Sequence, residues 1–78
     1  MRAEPLVKMV NEIGRHFEAM PAREAALKSV AQHLKSFWEP RMRRALLAHV
    51  DAHAAARSDD GLMPFAAAAI AAHRELLE

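Results

Sequence analysis

Histidine is the residue type with the widest chemical range in this 78-residue chain, and there are five: His16, His33, His49, His53 and His73. His49 and His53 are four positions apart, so on a helix both imidazoles leave the same face and could share a metal ion. A metal site needs a third or fourth ligand, and Asp51, the acid between them, points elsewhere on such a helix. The plainer assignment makes both rings core-edge or interface histidines bonded to a carbonyl or carboxylate. Nucleophilic chemistry has little to work with. Cys, Tyr and Thr are absent, and Ser29 and Ser36 fall in a helical segment with neither in a G-x-S-x-G turn. With only Gly14 and Gly61, no glycine-rich loop can cradle a phosphate. No catalytic, cofactor-binding or metal-ligating residue is expected.

The arginines carry more information. Arg41, Arg43 and Arg44 lie in what reads as the first turn of a helix opened by Pro40. The macrodipole is positive there, and an exposed, unpaired cation is unfavourable by about 0.3–1 kcal/mol. Glu39, four residues before Arg43, can offset one of them. The cluster is either a solvated basic end or a place where a partner's carboxylates or a phosphate would be met, since guanidinium suits both. Phe37 and Trp38 stand immediately before it. Two adjacent large aromatics cannot both enter one small core, so one is expected to staple two helices and the other to reach the surface, where Trp beside Arg resembles an interface hot spot. Asn11 and Gly14 weaken the helix that carries them. With Val7 and Glu18 they form a stripe beside the apolar one, a glycine notch suited to a docking partner or merely a solvent flank.

These residues must be positioned by helices. Proline recurs at 5, 21, 40 and 64, each time ahead of a segment rich in Ala, Leu, Glu, Lys and Arg. Pro is tolerated at the first helical position because that N–H has no intrahelical partner. The expected fold is all-α: one domain, residues 1–78, a compact bundle of four short helices over about 5–19, 21–37, 40–57 and 64–77. The buried stripes are Leu6, Met9, Val10, Ile13 and Phe17; then Ala26, Leu27, Val30, Ala31 and Leu34; then Met42, Leu46 and Val50. Ser58-Asp59-Asp60-Gly61 is the clearest loop. The last helix, with Phe65, Ala69, Ala72 and Leu76 inward, has little apolar bulk and is expected to be the least firmly held unless a partner covers it. Short connections predict that helices adjacent in sequence pack side by side.

Composition narrows the function further. A chain this small hides only about 60 % of its unfolded surface, so support from a partner or a second copy is expected. Without Cys there are no disulfides and no thiolates for zinc or iron–sulfur clusters. The formal charge is +1, from 11 basic and 10 acidic residues, which gives no long-range attraction to nucleic acid or membrane. No apolar run approaches the roughly 20 residues of a membrane span, and Met1–Pro5 opens without an apolar leader, so a cytoplasmic location is expected.

Three blocks carry a family resemblance: Val7–Gly14 with Phe17 and Met20-Pro21; His33–Arg43 followed by Leu46 and Leu47; and Gly61-Leu62 with Pro64. Together they resemble the delta subunit of NAD-dependent, molybdenum-containing formate dehydrogenases, and Phe37-Trp38-Glu39-Pro40-Arg41-Met42 is the most specific stretch. The family usually has Gln in place of Glu12, and Ser or Asp in place of Met63. The second departure removes a side-chain N-cap, typically worth about 1 kcal/mol. The resemblance implies a non-catalytic accessory subunit that binds the catalytic (alpha) subunit and supports assembly, stability or molybdenum-cofactor insertion. It also implies a parent complex with bis-molybdopterin guanine dinucleotide, iron–sulfur clusters and FMN, none held by this chain. Trp38, Arg41, Arg43 and Asn11 are the expected partner contacts, and in isolation the same face is free to pair with a second copy. The alternative is a small helix-turn-helix DNA-binding protein reading with its third helix. The run Ala45-Leu46-Leu47-Ala48 after the arginines is unlike the cationic face that role requires.

Overall fold

The computed structural model describes all residues, 1–78, and is entirely helical: α1 (Ala3–Glu18), α2 (Arg23–Phe37), α3 (Pro40–Ala56), α4 (Pro64–Ala72) and α5 (Arg74–Leu77). Two of the four expected helices begin at their prolines. Pro40 and Pro64 occupy the first helical turn, behind extended Glu39 and Met63. Pro5 sits at the third position of α1, still among the four residues whose N–H groups lack an intrahelical acceptor. Pro21 behaves differently. The chain closes on itself at Met20, whose N–H donates to Phe17 O at 3.0 Å. It then runs extended through Ala22 (φ −94°, ψ 104°), so α2 begins two residues beyond the proline.

The expected fourth helix is two helices. At His73 the backbone leaves the helical region (φ −126°, ψ 36°), although its N–H still reaches Ala69 O at 3.1 Å. The re-aimed last turn sends Leu77 into the core and packs α5 against α2 and α3. Nothing local marks this break, since Ala71-Ala72-His73-Arg74 contains no helix breaker. The tertiary contacts of the last turn decide it.

α2 is the centre of the bundle, covered by α4, α1 and α5. Val30 and Leu34 of α2, Val10 of α1 and Leu46 of α3 are fully enclosed, and Phe65, Ala66, Ala69 and Ile70 of α4 join them. Four of the nine α4 residues are therefore buried, so the helix is covered within the chain itself despite its lack of apolar bulk. Small side chains are the means rather than the obstacle: alanines let α4 approach α1 and α2 closely. Gly14 receives it, for a Cβ at this position would stand 3.4 Å from Ala66 Cβ and 3.1 Å from Met63 Sδ. The glycine notch is filled from inside the chain.

α3 also departs from expectation. Its main helix contacts are with α1 and α5, not with its sequence neighbours α2 and α4. Trp38 (φ −93°, ψ 138°) and Glu39 (φ −64°, ψ 151°) form a two-residue extended corner that turns the chain away from α2. On α3, Leu46 is buried as expected while Met42 and Val50 are half-buried; Arg43 and Leu47 are buried instead.

Candidate partner-docking face

The α2–α3 corner holds three of the residues singled out by sequence. Trp38 is 5 % exposed and belongs to the core, whereas Phe37 is 74 % exposed. The aromatic pair divides as expected, with Phe rather than Trp outside. Helical phase ends at Phe37, and the extended Trp38 swings its indole inward. Arg43, 7 % exposed, donates from Nη1 to Trp38 O at 2.8 Å and to Lys35 O at 3.2 Å. Its guanidinium thus closes the C-terminal end of α2, where carbonyls lack partners and the macrodipole is negative. That offsets its awkward place near the positive end of α3. Its Nε is buried without a partner. Arg41 and Arg44 are exposed, and neither takes part in any ion pair.

Asn11 fastens the 58–63 loop. Its Nδ2 donates to Gly61 O at 3.0 Å, and Met63 N–H donates to its Oδ1 at 2.9 Å. Within the loop Gly61 N–H bonds Asp59 Oδ1 and Leu62 N–H bonds Asp60 Oδ1, two aspartate turns made compatible by Gly61 at φ 84°. The α3 histidines hold the other side. His49 Nε2–H donates to Asp60 O at 2.8 Å, and His53 Nδ1 lies 2.7 Å from Ser58 Oγ. Their rings are 4.4 Å apart, but no third metal-ligating side chain joins them. Ser58 and His53 form a nucleophile–imidazole contact, yet it is exposed and no carboxylate orients the ring. It lacks the third group and the sheltered site that activate a serine.

The remaining polar contact of note is on the far side. Arg74 makes a two-pronged bridge to Asp51 (3.0 and 2.7 Å) and bonds Glu78 at 3.1 Å. The hydrogen bond from Arg74 lowers the Asp51 carboxyl below the usual aspartate value, and the same partners raise the Arg74 guanidinium. Glu4 is lowered too, first by a backbone hydrogen bond at the α1 N-terminus and then by Arg2. Sequence reading missed the Asp51–Arg74 bridge, which joins positions 23 apart and leaves no local signature.

A groove stays open between α1 and α2. Met9 and Ile13 form one wall, His33 and Phe37 the other; Trp38 underlies it and Met42 closes one end. Met9 is 40 % exposed, while Ile13 and Met42 are half-buried. A chain of aromatic contacts leads to it: His16 to Phe17 at 5.0 Å, Phe17 to His33 at 6.1 Å and His33 to Phe37 at 4.7 Å. Part of the stripe expected to be core thus lies at the surface. The exposed side of α3, by contrast, carries Arg41 and Arg44 and then Ala48, Asp51, Ala52 and Ala55, with no continuous cationic stripe.

Fold and site define a small cysteine-free helical domain whose polar side chains fasten its own corner and loop, with an apolar groove open between α1 and α2. No helix is long and apolar enough to cross a membrane, and the absence of thiolates means that the residues present do not fit an iron–sulfur cluster. The chain belongs to the NADH-dependent formate dehydrogenase delta subunit family, FdsD, whose sequence model matches residues 5–70. Comparison with curated proteins and with solved structures gives no match.

Proposed function

We propose that the chain is a non-catalytic accessory subunit of a cytoplasmic NAD-dependent formate dehydrogenase, binding the catalytic subunit and supporting assembly, stability or insertion of the molybdenum cofactor. Family membership over residues 5–70 is the observation that carries this reading. It is supported by the lack of any sheltered nucleophile and base, and by the apolar groove left uncovered on a chain of marginal size. Formate oxidation, and the molybdopterin, iron–sulfur and flavin groups that serve it, belong to the other subunits in this reading. Of the four expected contact residues, Arg41 is the one with a free side chain. Trp38, Arg43 and Asn11 act by shaping the corner and loop from within.

The test is affinity purification of a tagged copy from its native cells, followed by identification of what co-purifies. Recovery with the formate dehydrogenase subunits supports the reading; molybdenum content and specific activity of enzyme made without the chain then separate cofactor insertion from stability. Recovery of the chain alone, or bound to DNA in a salt-dependent manner, would overturn it.

A further inference from the structure

We propose that the α1–α2 groove receives a basic side chain, arginine above lysine, carried on a segment of a larger enzyme subunit. The cation pairs with Glu12 and its aliphatic stem lies along the apolar walls. This deepens the accessory-subunit reading and rests on it. Glu12 is the one carboxylate in the lining, and neither Lys nor Arg lines it. It is exposed and makes no ion pair, although Lys8, Arg15 and His16 stand three or four residues away on the same helix. The carboxylate is therefore uncommitted within the chain, on a wall whose other members are Met9 and Ile13.

An uncommitted acid in an apolar trough selects its guest. A wholly apolar segment laid over the groove would strip water from Glu12 and leave its charge unpaired, which burial makes unfavourable. A cation on a long aliphatic stem satisfies both surfaces, since the stem packs against apolar atoms while the head reaches the carboxylate. The opposite wall favours the same guest. Phe37 keeps three-quarters of its surface in solvent, and its ring centre lies 4.7 Å from that of His33. Exposed aromatic faces attract cations. A guanidinium stacks on such a ring and also presents a fork matched to a carboxylate, which an ammonium does not. Met9 and Met42 are walls that adapt to an entering stem. A second copy of this chain is the poorer occupant, because two grooves paired about a two-fold axis bring acid to acid and contribute no cation.

Phe37 and Glu12 are both exposed, so each can be replaced without disturbing the core. A photo-crosslinking benzoylphenylalanine at position 37, irradiated in the assembled enzyme, is expected to label one peptide of one larger subunit, with an arginine or lysine at or beside the labelled site. In parallel, Glu12→Lys should lower recovery of the complex by about tenfold or more, and Glu12→Gln by less, the scale of one partner lost from an interfacial charge pair. Changing the labelled peptide's basic residue to Glu should restore recovery with Glu12→Lys, which a merely structural role for Glu12 would not allow. Glu18→Lys, the same change of charge on α1 but outside the groove lining, should leave recovery unchanged. All three variants of this chain should keep the far-UV circular dichroism of the unaltered one. Labelling of a second copy or of no other chain, a labelled peptide without a basic residue, normal recovery with Glu12→Lys, or failure of the paired change to restore it would overturn the proposal while leaving the accessory-subunit reading intact. If the unaltered chain fails to co-purify with the enzyme, that reading falls and this inference with it.

Discussion

Replacing Arg43 by Met tests whether a buried guanidinium at the α2–α3 corner stabilises the fold. Two effects oppose each other. The guanidinium donates to Trp38 O at 2.8 Å and Lys35 O at 3.2 Å, and hydrogen bonds from a charged donor contribute about 1.5–3 kcal/mol each. Against this, the side chain is 7 % exposed and its Nε has no partner, a desolvation cost of about 1–3 kcal/mol that Met would remove. Lys35 O lies where water can replace the donor, whereas the bond to Trp38 O is buried and its loss strands a carbonyl. Met also preserves most of the packed volume. The balance is a net loss of about 1–3 kcal/mol, a large share of the roughly 4–12 kcal/mol expected for a chain of this length. For a domain of this size each kcal/mol lowers Tm by about 4–8 °C. A thermal melt of the isolated chain followed by circular dichroism should therefore show a drop of about 5–20 °C for Arg43→Met. Arg41→Met, at an exposed position, should stay within about 0.5 kcal/mol of the unaltered chain. If Arg43→Met melts at or above the original temperature, the cost of burying the charge exceeds the value of closing α2, and the capping argument is wrong.

Asn11→Ala removes two hydrogen bonds to the 58–63 loop and should destabilise by about 1–2 kcal/mol, with faster proteolytic nicking within 58–63 as the specific readout. Gly14→Val crowds Met63 and Ala66, so it should cost about 1–3 kcal/mol despite its better helix propensity, measured by urea titration. Asp51→Asn addresses pH dependence. The folded carboxyl is lowered by Arg74, so its contribution is present above the usual aspartate value of 3.8 and is lost as pH falls through the lower folded value. Melts across the acid range should accordingly show a shallower loss of stability for the Asn variant, and an identical slope would mean that the Arg74 bridge contributes nothing in solution.

Much of this fold was legible because proline has few uses in a helical chain. Pro40 and Pro64 open helices, and the Ser58–Gly61 loop falls where aspartate and glycine cluster. The same rule misplaced the start of α2, because the turn at Met20 leaves Pro21 outside the helix. Arg43 was open to a closer reading: it lies three and four residues before Leu46 and Leu47, in phase with the buried side of α3. An arginine at that phase must either distort the core or find carbonyls. The α4 result was harder to foresee. Its residues are nearly all apolar, so no face stands out, and close approach to Gly14 is a property of the pair of helices rather than of either segment. The His73 break and the Asp51–Arg74 bridge follow from where the last turn docks, which local propensity does not encode. Of the candidate site, the Phe37–Met42 corner was visible. The groove beside it emerged only once α2 was seen to have committed its core side to α4.

The order of the helices along the chain has a consequence for how the protein comes into being. α2 sits at the centre, yet α4 and α5, two of the helices that cover it, follow it in the chain, and the Asn11 fastening closes only when residue 63 is available. During synthesis the α1–α2 pair therefore emerges with both the future core side of α2 and its open groove exposed to the surrounding solution. Closing a loop of some fifty residues has a modest entropic cost, growing only with the logarithm of loop length. Nothing requires slow searching once α4 arrives; the exposed interval is set by translation. A nascent chain of this kind is vulnerable to aggregation for that interval.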